Sequence, residues 1–275
     1  MGDLILAGDI GGTKINLALF RRQEGRLVEV RGATISTVDT PSLESAIELF
    51  LGDDRAEFAA AAFGVAGPVR DGVADTTNIP WDVDARSLAG FLGIRRVGLV
   101  NDLVAMGWGV SALGHECFHV IQPGRPDPQG NGALIAAGTG LGESVLIAAG
   151  DAWRPQPSEG GHTSFSPQTP LEDALLAHLR GKFGGHVSVE RVLSGPGLVN
   201  IYEFLRDNGH GEEFDWMAAR MEVEEAPRVI VELALERTVA LLRDRAAAGR
   251  RPSQRARHQL AEVATTLECG RALTY

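Results

Sequence analysis

The sequence predicts a mixed α/β fold made of two related subdomains, and two observations lead to this prediction. Short apolar strands alternate with segments of helical spacing along the chain. Two segments, Ala7–Leu19 and Ala137–Ala148, also share one plan, in which a strand, a glycine turn and a second strand follow one another. The second segment begins 130 positions after the first, which suggests two related subdomains. Chance similarity is the alternative, since glycine turns are common.

The hydrophobic pattern assigns the individual elements in chain order. Strands are predicted over Leu4–Ala7, Ile15–Phe20, Leu27–Ser36, Phe58–Val65, Val97–Val100, Gly132–Ala137 and Ser144–Ala149. Helices are predicted over Pro41–Leu51, from Asp102 onward, over Ala174–Phe183 and Gly197–Asp207, and over much of Met217–Arg245. Proline and glycine predict loops over Gly114–Gly132 and Pro155–Gly161.

Composition indicates a folded globular protein and excludes several functional classes. Hydrophobic residues make up 44% and charged residues 23% of the 275 positions. The net charge of -10 argues against a general affinity for nucleic acid or for an anionic membrane. No stretch approaches the ~18 apolar residues of a membrane span, and no signal-peptide pattern is present, so we expect a cytoplasmic protein. Cys117 and Cys269 lack a CxxC spacing, so we expect neither a disulfide framework nor a zinc cluster.

The first glycine turn, Asp9–Lys14, has the residue types of a phosphate-binding loop. Gly11 and Gly12 let the backbone approach a phosphate without a Cβ clash, so that successive N–H groups can point at it. Asp9 could hold Mg²⁺ through water, and the Thr13 hydroxyl could donate to a phosphate. The sequence is neither a GxxxxGK[ST] loop nor a GxGxxG fingerprint, and a purely structural hairpin is the alternative.

The second glycine turn, Gly138-Thr139-Gly140-Leu141-Gly142, offers another set of amides and one hydroxyl. Three glycines in five residues exceed what a hairpin turn needs. This excess favours a loop that cradles phosphate over a simple connection.

Asp102 is a candidate ligand-binding residue, because Asn101 and Asp102 directly follow a buried strand. A carboxylate at the carboxyl end of such a strand lies where α/β proteins bind ligands. A helix N-cap is the alternative for Asp102, and the two roles are compatible.

Four further polar residues are candidate ligands for hydroxyl groups. Glu159 and His162 flank two glycines in a loop, and a metal site there would need further ligands, which do not stand out. Glu190 precedes a glycine-proline turn and is either a surface charge or a residue that faces the same cleft as Glu159. Asn78 has paired donor and acceptor groups suited to vicinal hydroxyls. The nearby Trp81 is either a core residue or an apolar platform for a sugar.

Six motifs resemble, in family order, those of the bacterial glucokinase family, part of the hexokinase–actin fold superfamily. They span roughly Leu4 to Leu205 and read LAGDIGGTKINLAL, TNIPW, VNDLVAMGWGV, AGTGLG, SEGGH and VERVLSGPGLVNIY. The resemblance implies two actin-like (ribonuclease H-like) α/β domains with an inter-domain cleft. We expect a small N-terminal domain over residues 1–110 and a larger one over residues 111–275.

The resemblance also implies a reaction: transfer of the ATP γ-phosphate to the 6-hydroxyl of glucose, with Mg²⁺ as cofactor, as in the first step of glycolysis. It implies that Asp102 is the base and that the enzyme forms a homodimer, and it implies no direct side-chain metal ligand. It assigns the phosphates to Asp9, Gly11, Gly12 and Thr13 in the first turn and to Gly138, Thr139 and Gly140 in the second. It assigns the sugar hydroxyls to Asn78, Asn101, Asp102, Glu159, His162 and Glu190.

The resemblance fades after about Glu236. Arg237–His258 holds seven arginines in 22 residues, and the glycine-rich adenosine loop and the returning helix that the family implies are not recognisable. We expect a reading-frame change in a GC-rich gene, with a divergent basic helical tail as the alternative. A frame change would make the chain a catalytically impaired sugar-binding or sensor protein of glucokinase ancestry, which is the alternative to an active kinase.

Overall fold

The computed structural model describes residues 4–53, 57–76, 79–120, 123–125, 127, 129–150, 152–211 and 213–247. Within these residues the strands are β1 (Leu4–Ile10), β2 (Lys14–Gln23), β3 (Arg26–Ser36), β4 (Phe58–Val65), β5 (Val69–Arg70), β6 (Val73–Ala74), β7 (Val83–Asp84), β8 (Val97–Asn101), β9 (Gly132–Ala137), β10 (Leu141–Ala149) and β11 (Ala152–Ser158). The helices are α1 (Leu43–Leu51), α2 (Ala85–Leu92), α3 (Asp102–Val110), α4 (Pro170–Phe183), α5 (Gly195–Asp207), α6 (Asp215–Val223) and α7 (Ala226–Ala247).

The chain divides into two compact units. The first comprises Met1–Leu113 and Ser144–Pro157, and the second comprises Gly114–Glu143 and Ser158–Tyr275. Among the described residues, no helix has both the length and the apolar character needed to cross a membrane.

The first unit contains a five-stranded sheet in the order β3-β2-β1-β4-β8. Strands β1, β2 and β3 are antiparallel, whereas β1, β4 and β8 run parallel. The register places Asp9 opposite Gly64 and Val65 opposite Asn101. The carboxyl ends of three neighbouring parallel strands therefore meet at one edge of the sheet, and polar residues follow there.

Alternation along the strands builds the core of the first unit. In β2 the side chains of Ile15, Leu17 and Leu19 are buried, whereas Lys14 and Asn16 are exposed. The buried face packs against Leu43 and Ile47 of α1 and Leu88 of α2, among others. Burial of each such aliphatic side chain contributes about 1.5–3 kcal/mol, so this face fixes the register of the strand.

Local signals set the helix ends. Helix α1 begins at Leu43 instead of Pro41 because the Ser42 hydroxyl accepts the N–H of Ser45 and so caps the helix. Helix α4 begins with a capping box between Thr169 and Glu172 and ends at Gly184 in the left-handed conformation. Helices α4 and α5 of the second unit share a core of Leu175, Leu179, Val187, Val192 and Phe204.

Strand β11 corrects the loop predicted over Pro155–Gly161. Residues up to Ser158 continue a strand that pairs with β10 in a three-stranded sheet of order β11-β10-β9. Among the described residues, β11 is an edge strand of this sheet. Prolines lack the N–H donor and are tolerated in edge strands. In the sequence these prolines indicate a loop, and so they conceal the strand.

Helix α3 packs against strand β11 at Gly107, and two glycines of this helix test the contact. A Cβ at Gly107 would lie 2.7 Å from Pro155 Cβ, whereas a Cβ at Gly109 would meet open space. We expect Gly107→Ala to lower the free energy of unfolding by about 1–3 kcal/mol through overpacking. The matched variant Gly109→Ala should raise it by about 0.5–1 kcal/mol through helix propensity. Denaturant unfolding of both variants checks this, and equal effects of the two would contradict the packing described.

Candidate active site

Asn101 carries the N-cap of helix α3, so the interpretation of Asp102 as the cap is wrong. The Oδ1 atom of Asn101 accepts the N–H groups of Leu103 (3.0 Å) and Val104 (3.3 Å), and its Nδ2 donates to the carbonyl oxygen of Gly67 (3.1 Å). Asp102 is the first residue of the helix, and its Oδ1 accepts the N–H of Leu103 at 2.8 Å. The Asn101 cap therefore fixes the backbone conformation at Asp102 and so the position of its carboxylate.

The environment of Asp102 raises the pKa of its carboxyl group above the ordinary value of 3.8. Partial burial is the largest cause, because it removes water from the charged form. The negative charge of Asp9 raises the pKa further, while the hydrogen bond from the Leu103 N–H opposes the shift. Asp102 thus holds a proton more firmly than a solvated aspartate, as suits a group that accepts one.

Asp9 lies at the end of β1 and is oriented by a chain of polar side chains. Asn16 donates from Nδ2 to Asp9 Oδ2 (3.3 Å), and Thr34 donates from its hydroxyl to Asn16 Oδ1 (2.8 Å). These residues line an open groove of about 670 Å³ on the exposed face of β1, β2 and β3. Its floor is made of small residues that include Ala7, Ala18 and Gly32. The exposed carboxylate of Asp9 offers oxygen ligands of the kind that Mg²⁺ prefers.

The first glycine turn is closed and held from outside by Thr37. Gly11 donates its N–H to the carbonyl oxygen of Lys14 (2.9 Å), which closes the hairpin. The fully buried Thr37 donates its hydroxyl to the Gly11 carbonyl (2.8 Å) and its N–H to the Thr13 carbonyl (3.0 Å). The N–H groups of Gly12 and Thr13 have no acceptor among the described residues. With its carbonyls fixed, the turn leaves these N–H groups for an anion.

The second glycine turn is tighter than the sequence suggests. Strand β10 begins at Leu141, so only Gly138-Thr139-Gly140 connects it to β9. Gly138 donates its N–H to the Gly140 carbonyl (2.9 Å) and accepts the N–H of Gly195 (2.8 Å). The N–H groups of Thr139 and Gly140 find no acceptor in the part of the chain that is described. The turn is thus anchored at the start of α5.

The loop with Glu159 and His162 packs closely on the start of β10. A Cβ at Gly161 would overlap the carbonyl oxygen of Leu141, and a Cβ at Gly160 would overlap the Glu143 carboxylate. Position 161 therefore requires glycine, because the obstacle there is backbone, whereas a side chain at position 160 would displace the flexible end of Glu143. The His162 Nε2 lies 3.6 Å from Glu159 Oε2, and these side chains are 63% and 72% exposed. Their polar groups are accessible to a ligand.

Glu190 joins this loop to the second glycine turn. Its Oε2 accepts the N–H of Leu141 at 2.9 Å. The short 3-10 helix Val189–Arg191 that carries Glu190 is attached to the loop, because Val189 donates its N–H to the Thr163 carbonyl (2.9 Å). The second unit therefore brings together Gly138–Gly140, Glu159, His162 and Glu190.

The polar residues predicted for the site fall into two groups, one in each unit. The first unit holds Asp9, Gly11, Gly12, Thr13, Asn101 and Asp102, and the second holds those just described. Asn78 lies outside the described residues. Trp81 packs against the core and donates its indole N–H to the Thr40 carbonyl (2.9 Å), which supports the core interpretation. Among the described residues, no group of three or more His, Cys, Asp or Glu could hold a metal ion.

Sequence reasoning missed Thr37, Asn16 and Thr34. Thr37 follows the predicted strand Leu27–Ser36, and nothing in its neighbourhood indicates contact with a turn 26 residues earlier. Asn16 and Thr34 do carry a signal, since each interrupts the apolar pattern of a strand on its exposed face.

Comparison with known proteins identifies the family. A family model described as Glucokinase matches residues 6–246. The chain is 39% identical over 213 residues to a glucokinase of Nostoc punctiforme and 41% identical over 219 residues to one of Synechocystis sp.. These matches cover 76% and 75% of this chain, but the chain spans only 62% of the length of either relative.

Solved structures agree on the fold. A glucokinase from an Antarctic psychrotroph superposes with a TM-score of 0.68 at 26% identity, covering 90% of this chain and 80% of that one. A glucokinase from Balamuthia mandrillaris, solved in complex with glucose, gives a TM-score of 0.63 at 22% identity, covers 98% of this chain and 84% of that one, and supports the fold alone. The mixed α/β fold is thus of the actin-like kind predicted, and the chain belongs to the glucokinase family.

Proposed function

We propose that this protein is an ATP-dependent glucokinase that transfers the γ-phosphate to the 6-hydroxyl of glucose. The observation that carries the proposal is the position of Asp102: a half-buried carboxylate with a raised pKa, held at the carboxyl edge of three parallel strands beside Asp9 and the first glycine turn. Family membership and the relatives named glucokinase support the same reaction.

In this mechanism Asp102 accepts the proton of the sugar hydroxyl as the oxygen attacks the γ-phosphorus in line. The O–H bond breaks, the new P–O bond forms, and ADP leaves with the electron pair of the cleaved P–O bond. The free N–H groups of the two glycine turns stabilise negative charge on the phosphates. Asp9 would hold Mg²⁺ through water, and the ion neutralises phosphate charge when bound. A cytoplasmic location, expected from the sequence pattern, and a homodimer, implied by the resemblance, remain predictions.

For the sugar, we propose hydrogen bonds to Glu159, His162, Glu190, Asn78 and Asn101. The exposure of Glu159 and His162 supports a role in binding. Asn101 uses its oxygen in the helix cap and one of its two amide N–H groups on Gly67, which leaves one N–H for a sugar oxygen. Sites that hydrogen-bond hydroxyls reject analogues lacking them, so deoxy sugars should be poor substrates.

The proposal is tested by an ADP-release assay on the purified chain with glucose and other hexoses, combined with calorimetry of sugar binding. Turnover with glucose supports the kinase. Glucose binding without turnover would support the impaired sugar-binding protein instead.

Asp102→Asn tests the base directly. Asparagine keeps the oxygen that accepts the Leu103 N–H but cannot take up a proton, so we expect kcat to fall by roughly 10²- to 10⁴-fold while the sugar Kd changes little. Asp84→Asn is the matched control, since Asp84 caps α2 through the N–H of Arg86, outside the proposed site. Near-normal turnover of the Asp102→Asn variant would overturn the assignment of Asp102 as the catalytic base.

The raised pKa of Asp102 also predicts a pH dependence of stability. The folded protein binds this proton more tightly than the unfolded chain does, so ionisation of Asp102 destabilises the fold. The cost is absent below the ordinary pKa of 3.8 and fully present above the raised pKa. We therefore expect Asp102→Asn to raise Tm near pH 7, by an amount that shrinks as pH falls through that window. Thermal unfolding at a series of pH values measures this, and a Tm difference that grows toward low pH would contradict it.

Thr37 gives a test of the first phosphate turn. Thr37→Val preserves the shape but removes the hydroxyl donor to Gly11, whereas Thr37→Ser retains it. Leaving a part-buried carbonyl unpaired costs about 1–3 kcal/mol, so the valine variant should be less stable. Its binding of an ATP analogue should weaken by about tenfold, a loss of ~1.4 kcal/mol. Sugar affinity should not change, and equal behaviour of the two variants in calorimetry would show that the hydroxyl does not position the turn.

A further inference from the structure

The Glu190 carboxylate occupies the space beside the second glycine turn. Its Oε2 accepts the Leu141 N–H at 2.9 Å, and a Cβ built on Gly140 would lie only 2.6 Å from the same oxygen. The carboxylate thus takes the place that a side chain at position 140 would fill. Gly140 does not have a positive φ, so a larger residue there would displace the end of the Glu190 side chain and would not strain the turn itself.

Glu190 is the one side chain of the described residues that hydrogen-bonds to the Gly138–Leu141 segment. The other attachment of the turn is a backbone bond, from the N–H of Gly195 to the Gly138 carbonyl. A hydrogen bond accepted by a charged carboxylate is about twice as strong as one between neutral groups, so this contact has a large share in fixing where β10 begins.

The segment that carries Glu190 is joined to the loop that carries Glu159 and His162 through the two residues before Glu190. Val189 bonds to Thr163, and Ser188 and Ser164 form an isolated β-bridge. On the other side, the Gly161 backbone rests against the Leu141 carbonyl. Leu141 is therefore held between two segments that both carry residues proposed to bind sugar.

We propose that Glu190 is a positioning residue for the second glycine turn as well as a sugar ligand, and that it couples sugar binding to the conformation of this turn. The inference rests on the proposed function for the sugar contact alone. A carboxylate has two oxygens: Oε2 is committed to Leu141, and Oε1 remains for a hydroxyl of the sugar. A sugar hydroxyl that donates to Oε1 restrains the carboxylate, and through it the turn. The coupling is reciprocal, so an anion on the turn tightens sugar binding by the same factor.

Hydrogen exchange of the Leu141 amide tests the positioning role without any need for activity. We expect Glu190→Ala to speed this exchange by about tenfold or more in the absence of ligands, because the amide loses its acceptor. Glu190→Gln keeps an oxygen at the same reach but without the charge, so its rate should be intermediate. If Glu190→Ala fails to fold, the isosteric variant Glu190→Gln still allows the Leu141 exchange rate to be measured.

Glu159→Gln is the matched control, since it removes the charge of another carboxylate proposed to bind sugar but does not touch the turn. Its Leu141 exchange should equal that of the parent. Exchange at Leu141 that is the same in Glu190→Ala as in Glu159→Gln would overturn the positioning role, whether or not sugar binds.

The coupling has its own readout. Saturating glucose should slow Leu141 exchange in the parent and in Asp84→Asn, which lies outside the proposed site, but not in Glu190→Ala. A non-hydrolysable ATP analogue, titrated without sugar, should bind Glu190→Ala more weakly than Glu159→Gln. If glucose fails to bind the parent, the proposed function fails while the ligand-free exchange still decides the positioning role. If glucose binds and leaves Leu141 exchange unchanged, the coupling is wrong.

Discussion

The side chain of Asn101 joins the end of strand β8 to the start of helix α3, and the proposed catalytic group depends on this junction. Its oxygen accepts two N–H groups of the first helical turn while its amide group bonds to the Gly67 carbonyl in the connection after β4. Three backbone segments are thereby fixed by one amide. Because the cap is supplied by Asn101, the carboxylate of the next residue is not consumed as the cap and remains available for chemistry.

Close backbone approach is the second constraint, and it serves both units. Gly64 lies opposite Asp9 in the register of β4, and a Cβ there would lie 3.0 Å from the Ala105 Cβ, so its absence lets α3 begin directly over the sheet. In the second unit, Gly161 rests on the Leu141 carbonyl in the same way. At both positions glycine has no Cβ, so a helix end or a polar loop can lie directly on a strand. This close approach brings together polar groups that are distant in the sequence.

Much of the fold could be predicted from the sequence, because hydrophobic alternation and glycine turns are local signals. The strand Phe58–Val65 and the two glycine hairpins follow directly from such patterns. The edge strand Ala152–Ser158 could not, since its prolines read as a loop unless the free edge of the sheet is known. Thr37 and the second role of Glu190 were equally hidden: each acts on a turn 26 or 49 residues away, through a contact that only the folded chain creates. The junction of strand and helix at Asn101 and Asp102 follows from the sequence pattern, yet which of the two residues forms the cap depends on backbone geometry.

The two aspartates at the sheet edge explain why the site needs so much support. Partial burial is the main cause that raises the pKa of Asp102, and the like charge of Asp9 adds to the same shift. Neither effect favours the folded state near neutral pH, because each makes the ionised carboxylate less stable than it is in water. The network around them offsets this cost: Asn101 fixes the helix start, and Asn16 with Thr34 orients Asp9. The Mg²⁺ ion that Asp9 is proposed to hold through water would relieve this repulsion, so we expect binding of the cation to stabilise this edge of the sheet.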